Sequence, residues 1–254
     1  MTRVRRTKVE LVLPVHNEAD TIEGVLEGFY EHALRAGGID LRFIVSEDGS
    51  RDHTADVVRK VAERLPITLI STPHRKGYSQ AVIDGLLAST APVVACCDSD
   101  GQYDPADLVA LVDRLTGHDA VWGYRNPRHD PLARAVMSRS FRFAWDHIHH
   151  RQFIDPSCPF VCFTHAAVDR MLGDGAHVPL MPEGLWWEMS ARAAGVDLNV
   201  VEHPVHHLTR PGGGTQVYKP QRLPRIATDN LAGLWLLRSD LAYQRSRRQL
   251  AEAH

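Results

Sequence analysis

A chain of 254 residues, 44% hydrophobic and 24% charged, has room for one large α/β domain, alone or with a short appendage, and the composition of an ordinary soluble protein. A formal net charge of −2 excludes the whole-molecule basic field of a general nucleic-acid binder, although basic residues gather at both ends (Arg3, Arg5, Arg6, Lys8; Arg238, Arg245, Arg247, Arg248). The apolar stretch from Val9 to Val15 is short and contains Glu10, so it is no signal peptide, and no apolar run approaches the ~20 residues that span a bilayer. The four cysteines, Cys96, Cys97, Cys158 and Cys162, include no CxxC pair and read as reduced, core-packed thiols. The expected location is therefore the cytosol, with any lipid substrate met peripherally at the inner face of the membrane.

Val9–Val15 reads as a strand ended by His16-Asn17-Glu18. A helix follows from Asp20 to about Ala36, with apolar residues at helical spacing and Gly37-Gly38 as its stop. Leu41–Val45 is a second strand and Thr54–Leu65 a second helix, ended by Pro66. Ile67–Ile70 is a third strand and Ser79–Ser89 a third helix. Pro92–Cys97 is a fully buried strand, and Pro105–Leu115 a helix with Asp104 as N-cap. Ala120–Gly123 is the next strand. Beyond it the pattern is less regular: helices at Arg134–His150 and Met189–Ala194, an extended Val200–Leu208, a Gly212-Gly213-Gly214 loop, and a long helix from Leu223 to about Glu252. Strands alternating with helices imply βαβ units and a mostly parallel sheet. Such sheets bind ligands beyond the carboxyl ends of their strands, which singles out His16-Asn17-Glu18, Glu47-Asp48-Gly49-Ser50 and Asp98-Ser99-Asp100.

Asp98 and Asp100, two positions apart in a strand-end loop, suit one hard cation such as Mg²⁺ or Mn²⁺, with Gln102 as a neutral oxygen. A diphosphate donor needs that ion to neutralise charge on its leaving group. Glu47 and Asp48 suit a base N–H or ribose hydroxyls, on a turn that Gly49 permits.

Pro14-Val15-His16-Asn17-Glu18, Glu47-Asp48-Gly49-Ser50-Arg51-Asp52-His53-Thr54, Lys76-Gly77 and Asp98-Ser99-Asp100-Gly101-Gln102-Tyr103-Asp104-Pro105 occur in the order seen in family 2 glycosyltransferases, and the chain resembles the branch that makes dolichyl- or polyprenyl-phosphate sugars. Gly123-Tyr124-Arg125, Arg134 with Ser138, Asp155–Phe160, and Val201–Val205 followed by Arg210 and Gly213 extend the likeness over roughly residues 9 to 215. The resemblance implies a GT-A fold, with a Rossmann-like, mostly parallel central sheet flanked by helices. It also implies a catalytic domain over residues 1–215, a helical extension over 216–254, and inverting transfer from a UDP- or GDP-sugar. By the same likeness Pro14, His16, Glu18, Glu47, Asp48, Lys76 and Asp98 line the donor pocket, and Asp98, Asp100 and Gln102 hold the metal and diphosphate. Arg125, Arg134, Ser138, His207 and Arg210 lie toward the acceptor, where arginine forks suit a phosphate.

Three features depart from the family pattern. His16 replaces a tyrosine, Pro159 stiffens a segment that relatives keep flexible, and no hydrophobic membrane pair follows the catalytic part. The acceptor stays open between a polyprenyl phosphate, which Arg125 and Arg134 favour, and a soluble small molecule, which the missing membrane segment favours. A phosphate acceptor needs no general base; for a hydroxyl acceptor Asp155 and Glu188 are the candidates, with His203, His206 and His207 nearby as base or phosphate contacts. Trp186-Trp187 either stack on a sugar or pack in the core. A nucleotidyltransferase shares the sheet, carboxylates and metal, but the strand-end segment Pro14–Glu18 lacks the glycine-rich basic loop expected of one. A sugar-nucleotide sensor and a homo-oligomer complete the alternatives.

Overall fold

The computed structural model describes residues 6–126, 141–143, 145–149, 153–173, 177–209 and 223–252, with the side chains of the last helix described over 228–242. Arg134, Ser138, Arg210, the Gly212–Gly214 loop and the expected domain boundary at 215–216 lie outside them.

The first half follows the βαβ rhythm of the sequence. β1 (Thr7–Val15), α1 (Ile22–Ala36), β2 (Ile39–Asp48), α2 (Thr54–Val61), β3 (Ile67–Thr72), α3 (Tyr78–Ala88), β4 (Val93–Cys96), α4 (Ala106–Arg114) and β5 (Ala120–Arg125) alternate without exception. Helical residues 141–143 and 145–149 (α5) follow, then β6 (Val161–Thr164), α6 (His165–Leu172), α7 (Leu185–Gly195), β7 (Val200–Val205) and α8 (Leu223–Glu252). Of these, β6 and α6 have no counterpart among the expected elements, and α7 begins four residues before the expected Met189. β6 is only four residues long, and a short apolar run of that kind carries no period that separates strand from loop.

The strands form one sheet in the order β3-β2-β1-β4-β6-β5-β7. β1, β2, β3 and β4 are mutually parallel, and β5 and β7 are parallel to each other. β6 runs antiparallel to both β4 and β5, so it alone opposes the others. Buried on both faces, the parallel strands read as continuous apolar runs such as Val93-Val94-Ala95-Cys96. Pro14 is tolerated in the central strand β1 because the β4 ladder has already ended at the Val12–Cys96 pair. α3 lies tight against β1: a Cβ on Gly85 would come within 2.4 Å of Val12 Cγ1.

The four cysteines are buried and unpaired with one another, as the sequence implied, and burial pushes the thiols of Cys158 and Cys162 up to about 12. α8 buries Leu234, Leu237 and Leu241, and Arg192 of α7 donates to Asp240 of α8 at 3.1 Å. Among the described residues no helix is long and apolar enough to cross a membrane.

Candidate active site

Chain order sets the location of the site. From β1 the chain moves out through β2 and β3, then returns to place β4 on the other side of β1. Loops leaving β1 and β4 must therefore diverge, and a crevice opens between their carboxyl ends. His16, Asn17 and Glu18 follow β1, Glu47 and Asp48 end β2, and Asp98, Ser99 and Asp100 follow β4. β5 and β7 point the same way, so Arg125 and the His206-His207 pair come to that same edge of the sheet.

The β1 and β2 loops are tied to each other. His16 Nδ1 lies 2.9 Å from the Asp48 carbonyl oxygen. Asn17, at φ 56°, receives Arg51 N–H at 2.8 Å and donates its own N–H to Ser50 Oγ at 3.0 Å. Glu18 N–H donates to Thr54 Oγ1, and the Glu18 carboxylate accepts from Thr21 Oγ1 at 2.8 Å. Glu47 accepts from Ser50 N–H at 2.5 Å and Ser71 Oγ at 2.7 Å. Burial pushes the Glu47 carboxyl up, but the Ser50 amide and the Ser71 and Ser50 hydroxyls outweigh burial and hold it below 4.5. Gly49 is required here: at φ 61° its backbone is left-handed, and a Cβ would meet Arg75 N at 2.7 Å.

Asp48 is 3% exposed and receives two successive amides, Lys76 N–H at 2.6 Å and Gly77 N–H at 2.9 Å, with Arg75 Nε 3.6 Å away. The Lys76-Gly77 motif thus meets the carboxylate through its backbone, while the Lys76 ammonium pairs with Asp84.

Asp98 and Asp100 are half-buried on the loop after β4, which Ser99 Oγ anchors to the Pro14 carbonyl at 2.8 Å. Asp100 Oδ1 accepts from Gln102 N–H at 3.1 Å, and Asp98 Oδ1 accepts from the Tyr78 hydroxyl at 2.6 Å. Tyr78 is 38% exposed, yet its hydroxyl is desolvated; burial first, then the Asp98 charge, push it well above its ordinary value and keep it a donor. The Gln102 side chain donates Nε2–H to the Leu208 carbonyl at 3.1 Å, which turns its amide oxygen away from that bond. Among the described residues no group of three His, Cys, Asp or Glu side chains encloses an ion. An all-oxygen set of two carboxylates and one amide fits a hard cation that draws its remaining ligands from phosphate and water. Softer cages need histidine or thiolate.

On the β5 side, Arg125 and Asp155 form a fork: Nε–H donates to Oδ2 at 2.7 Å and a terminal N–H to Oδ1 at 2.9 Å. Ser157 Oγ accepts from Arg125 at 2.8 Å and donates to Asp155 at 2.9 Å. Burial alone would lower the guanidinium, but Asp155 raises it far above its ordinary value. Glu188 is 0% exposed on α7 and accepts from Met181 N–H at 2.8 Å, Arg192 Nε–H at 2.9 Å and His177 Nε2 at 3.4 Å. Burial pushes its carboxyl up, yet His177, Arg192 and the Met181 amide together hold it below 4.5. The two candidate bases are therefore both ion-paired.

Segment 206–208 is clamped under the aspartate loop. Leu208 N–H donates to the Gln102 carbonyl at 2.7 Å, and the His207 ring stands edge-on to Tyr103 at 5.4 Å. His206 binds Asp107 through its N–H at 2.6 Å and its Nδ1 at 2.9 Å, and this bond raises its imidazole above 6.5. Burial instead lowers His203. Trp186 and Trp187 pack inward: Trp186 is edge-on to Trp122 at 6.1 Å and Trp187 to Phe141 at 4.8 Å. Trp186 Nε1–H donates to the Tyr78 hydroxyl at 2.8 Å. Reading the sequence missed Tyr78, whose one signal is its place directly after Lys76-Gly77.

Comparison with known proteins supplies the family and the fold. A solved glucosyl-3-phosphoglycerate synthase of Mycobacterium tuberculosis, in complex with Mn²⁺, UDP-glucose and phosphoglyceric acid, shares the fold at TM-score 0.69 over 92% of this chain and 80% of its own, at 19% identity. An uncharacterized glycosyltransferase of the same organism is 34% identical over 218 residues, covering 82% of this chain and 89% of its own length. An undecaprenyl-phosphate 4-deoxy-4-formamido-L-arabinose transferase of Pseudomonas paraeruginosa is 28% identical over 182 residues; the alignment takes in 69% of this chain but only 53% of that relative. The family description "Glycosyl transferase family 2" matches residues 10–173, which include the strand-end clusters His16–Glu18, Glu47–Ser50 and Asp98–Asp100 together with Arg125 and Asp155. With the GT-A sheet and its acidic crevice in place, this match makes the chain a member of glycosyl transferase family 2.

Proposed function

We propose that the protein transfers a sugar, with inversion, from a nucleoside-diphosphate sugar to the phosphate of a polyprenyl phosphate. The observation that carries the donor half is the convergence of Glu47-Asp48 and Asp98-x-Asp100 on the two sides of the β1/β4 crevice. Glu47 and Asp48 face the nucleoside end, and Asp98, Asp100 and Gln102 hold a divalent cation, Mg²⁺ or Mn²⁺. The cation supplies charge neutralisation for the departing diphosphate. His16 and Glu18 close the nucleotide side, and the Lys76-Gly77 backbone orients Asp48.

Two buried ion pairs support a phosphate acceptor. A hydroxyl nucleophile must lose a proton to a base, whereas a phosphate is already anionic. Asp155 is committed to Arg125 and Glu188 to Arg192, both with little solvent contact. Glu188 is held below its ordinary value against burial by His177 and Arg192, and both Asp155 oxygens already accept Arg125 N–H groups, so neither acid is a ready proton acceptor. The names of the undecaprenyl-phosphate transferases point in the same direction. A soluble phosphorylated acceptor is the second reading, favoured by the phosphoglyceric acid bound to the solved structural neighbour and by the lack of a membrane-crossing helix among the described residues.

The test is transfer of radiolabel from a panel of UDP- and GDP-sugars, with Mn²⁺, to undecaprenyl phosphate in detergent or to 3-phosphoglycerate in water. Label in the organic phase is the expected result. Label appearing only in a phosphorylated aqueous product establishes the second reading. Donors that survive intact with every acceptor refute both.

A further inference from the structure

The Trp186–Tyr78–Asp98 chain links residues 108 and 20 positions apart in sequence, and its central member, Tyr78, belongs to none of the sequence motifs. Its direction is determined by chemistry. An indole nitrogen only donates, so Trp186 must place its N–H on the tyrosine oxygen. The tyrosine has one proton, and with its oxygen accepting from Trp186 that proton goes to Asp98 Oδ1. A hydroxyl bond to a carboxylate at 2.6 Å is charge-assisted, and it restricts rotation of the acid it touches.

The scaffold beneath this chain is stiff. Tyr78 is the first residue of α3, whose next two residues are stitched to the segment before α7. Ser79 Oγ donates to the Pro182 carbonyl at 2.5 Å, and Gln80 Nε2 to the His177 carbonyl at 3.3 Å. Trp186 is itself 5% exposed and wedged edge-on against Trp122 of β5. Through Tyr78, Asp98 is therefore connected to a core tryptophan on another element.

We propose that Tyr78 is a positioning residue for the cation–diphosphate site: oriented by Trp186, its hydroxyl sets the Asp98 carboxylate and couples it to α7. This rests on the assignment of Asp98 and Asp100 to that site. Tyr78 touches neither sugar nor base in this role; it acts through Asp98. Its removal has a signature that a wall of the nucleotide pocket lacks, because only the cation-dependent part of donor binding depends on how Asp98 is held.

Calorimetric titration of UDP into the wild-type protein, Tyr78→Phe and Trp186→Phe, each with Mn²⁺ and with EDTA, measures this directly. Melting temperatures in EDTA report the fold. In Tyr78→Phe the affinity for UDP in Mn²⁺ is expected to drop about tenfold, the order of a lost hydrogen bond to a charged group, while the affinity in EDTA stays unchanged. Trp186→Phe leaves the tyrosine its proton, so a smaller loss confined to the Mn²⁺ titration is expected. An undiminished Mn²⁺ effect in Tyr78→Phe overturns the proposal, as does an equal loss with and without metal. If Tyr78→Phe does not fold, Trp186→Phe decides: a wild-type Mn²⁺ effect there overturns it. Wild-type protein without any Mn²⁺ effect removes the metal site and this coupling together, whereas a wild-type effect that both variants retain removes the coupling alone.

Discussion

Glu188→Gln separates structure from catalysis at the acid that resemblance nominated as a base. Glu188 is 0% exposed and Arg192 2% exposed, so the pair is screened by almost no water. One carboxylate oxygen takes two Arg192 N–H groups, at 2.9 and 2.8 Å, and the other takes the Met181 amide. Glutamine keeps the shape but replaces one acceptor oxygen by a donor and removes the charge. Among the described residues Arg192 then retains only Asp240, at 3.1 Å and partly solvated, as a counter-ion. Breaking a buried pair from one side costs about 3–5 kcal/mol. For a chain of this size each kcal/mol moves Tm by roughly 2–4 °C, so the drop is on the order of 10 °C. The assay is calorimetric melting paired with turnover measured well below the melting range. A large fall in Tm with near-normal turnover is expected. Unchanged Tm with abolished turnover would refute this account and restore Glu188 as the base. Acid gives a second check. The folded carboxyl is held below 4.5, so the unfolded chain takes up the proton first as pH falls. The stability from Glu188 is complete above that range and is lost as pH drops through the folded value; in Glu188→Gln this part of the acid sensitivity disappears.

Asp100→Ala removes a half-buried carboxylate that accepts the local Gln102 N–H; Mn²⁺-dependent UDP binding and turnover should vanish while UDP binding in EDTA persists, and retained metal dependence would exclude Asp100 as a ligand. Asp48→Ala should weaken UDP binding and, unlike Asp100→Ala, also lower stability by about 1–3 kcal/mol, because the Lys76 and Gly77 amides lose their acceptor; calorimetry and denaturant melts measure the two effects separately. Asp107→Asn should lower the titration midpoint of His206 seen by NMR. The wild-type pair raises that midpoint, so its modest, solvent-screened contribution to stability is present in acid and fades as pH rises through the folded value; an unmoved midpoint would discount the bond.

The first half of the fold was legible because its signals are local. Parallel strands buried on both faces must be continuous apolar runs, and each is followed by a helix with its own period and stop. That alternation by itself puts the acidic clusters at strand ends. β6 and α6 escaped because four residues, Val161-Cys162-Phe163-Thr164, form too short a run, and because strand direction leaves no mark in a single strand's composition. Helix starts were less legible than helix bodies: α4 begins at Ala106, although Asp104 does accept the Ala106 N–H at 2.9 Å.

Within the site, residue type was legible and partnership was not. Asp98-x-Asp100 and Glu47-Asp48 announced carboxylates at the crevice because their chemistry and their strand-end position sit together in the chain. What those and other charged groups bind is a matter of distance in space. Arg125 meets Asp155 across 30 residues, Asp48 meets Lys76 across 28, and Trp186 meets Tyr78 across 108. An arginine that could clamp a phosphate and an arginine already satisfied by a buried carboxylate look the same in sequence, because a side chain's charge is intrinsic but its neutralisation is not. The sequence by itself determined the family, the parallel half of the sheet and the acidic edge. Only the tertiary structure decided which acids are held in ion pairs, and that a tyrosine outside every motif holds Asp98.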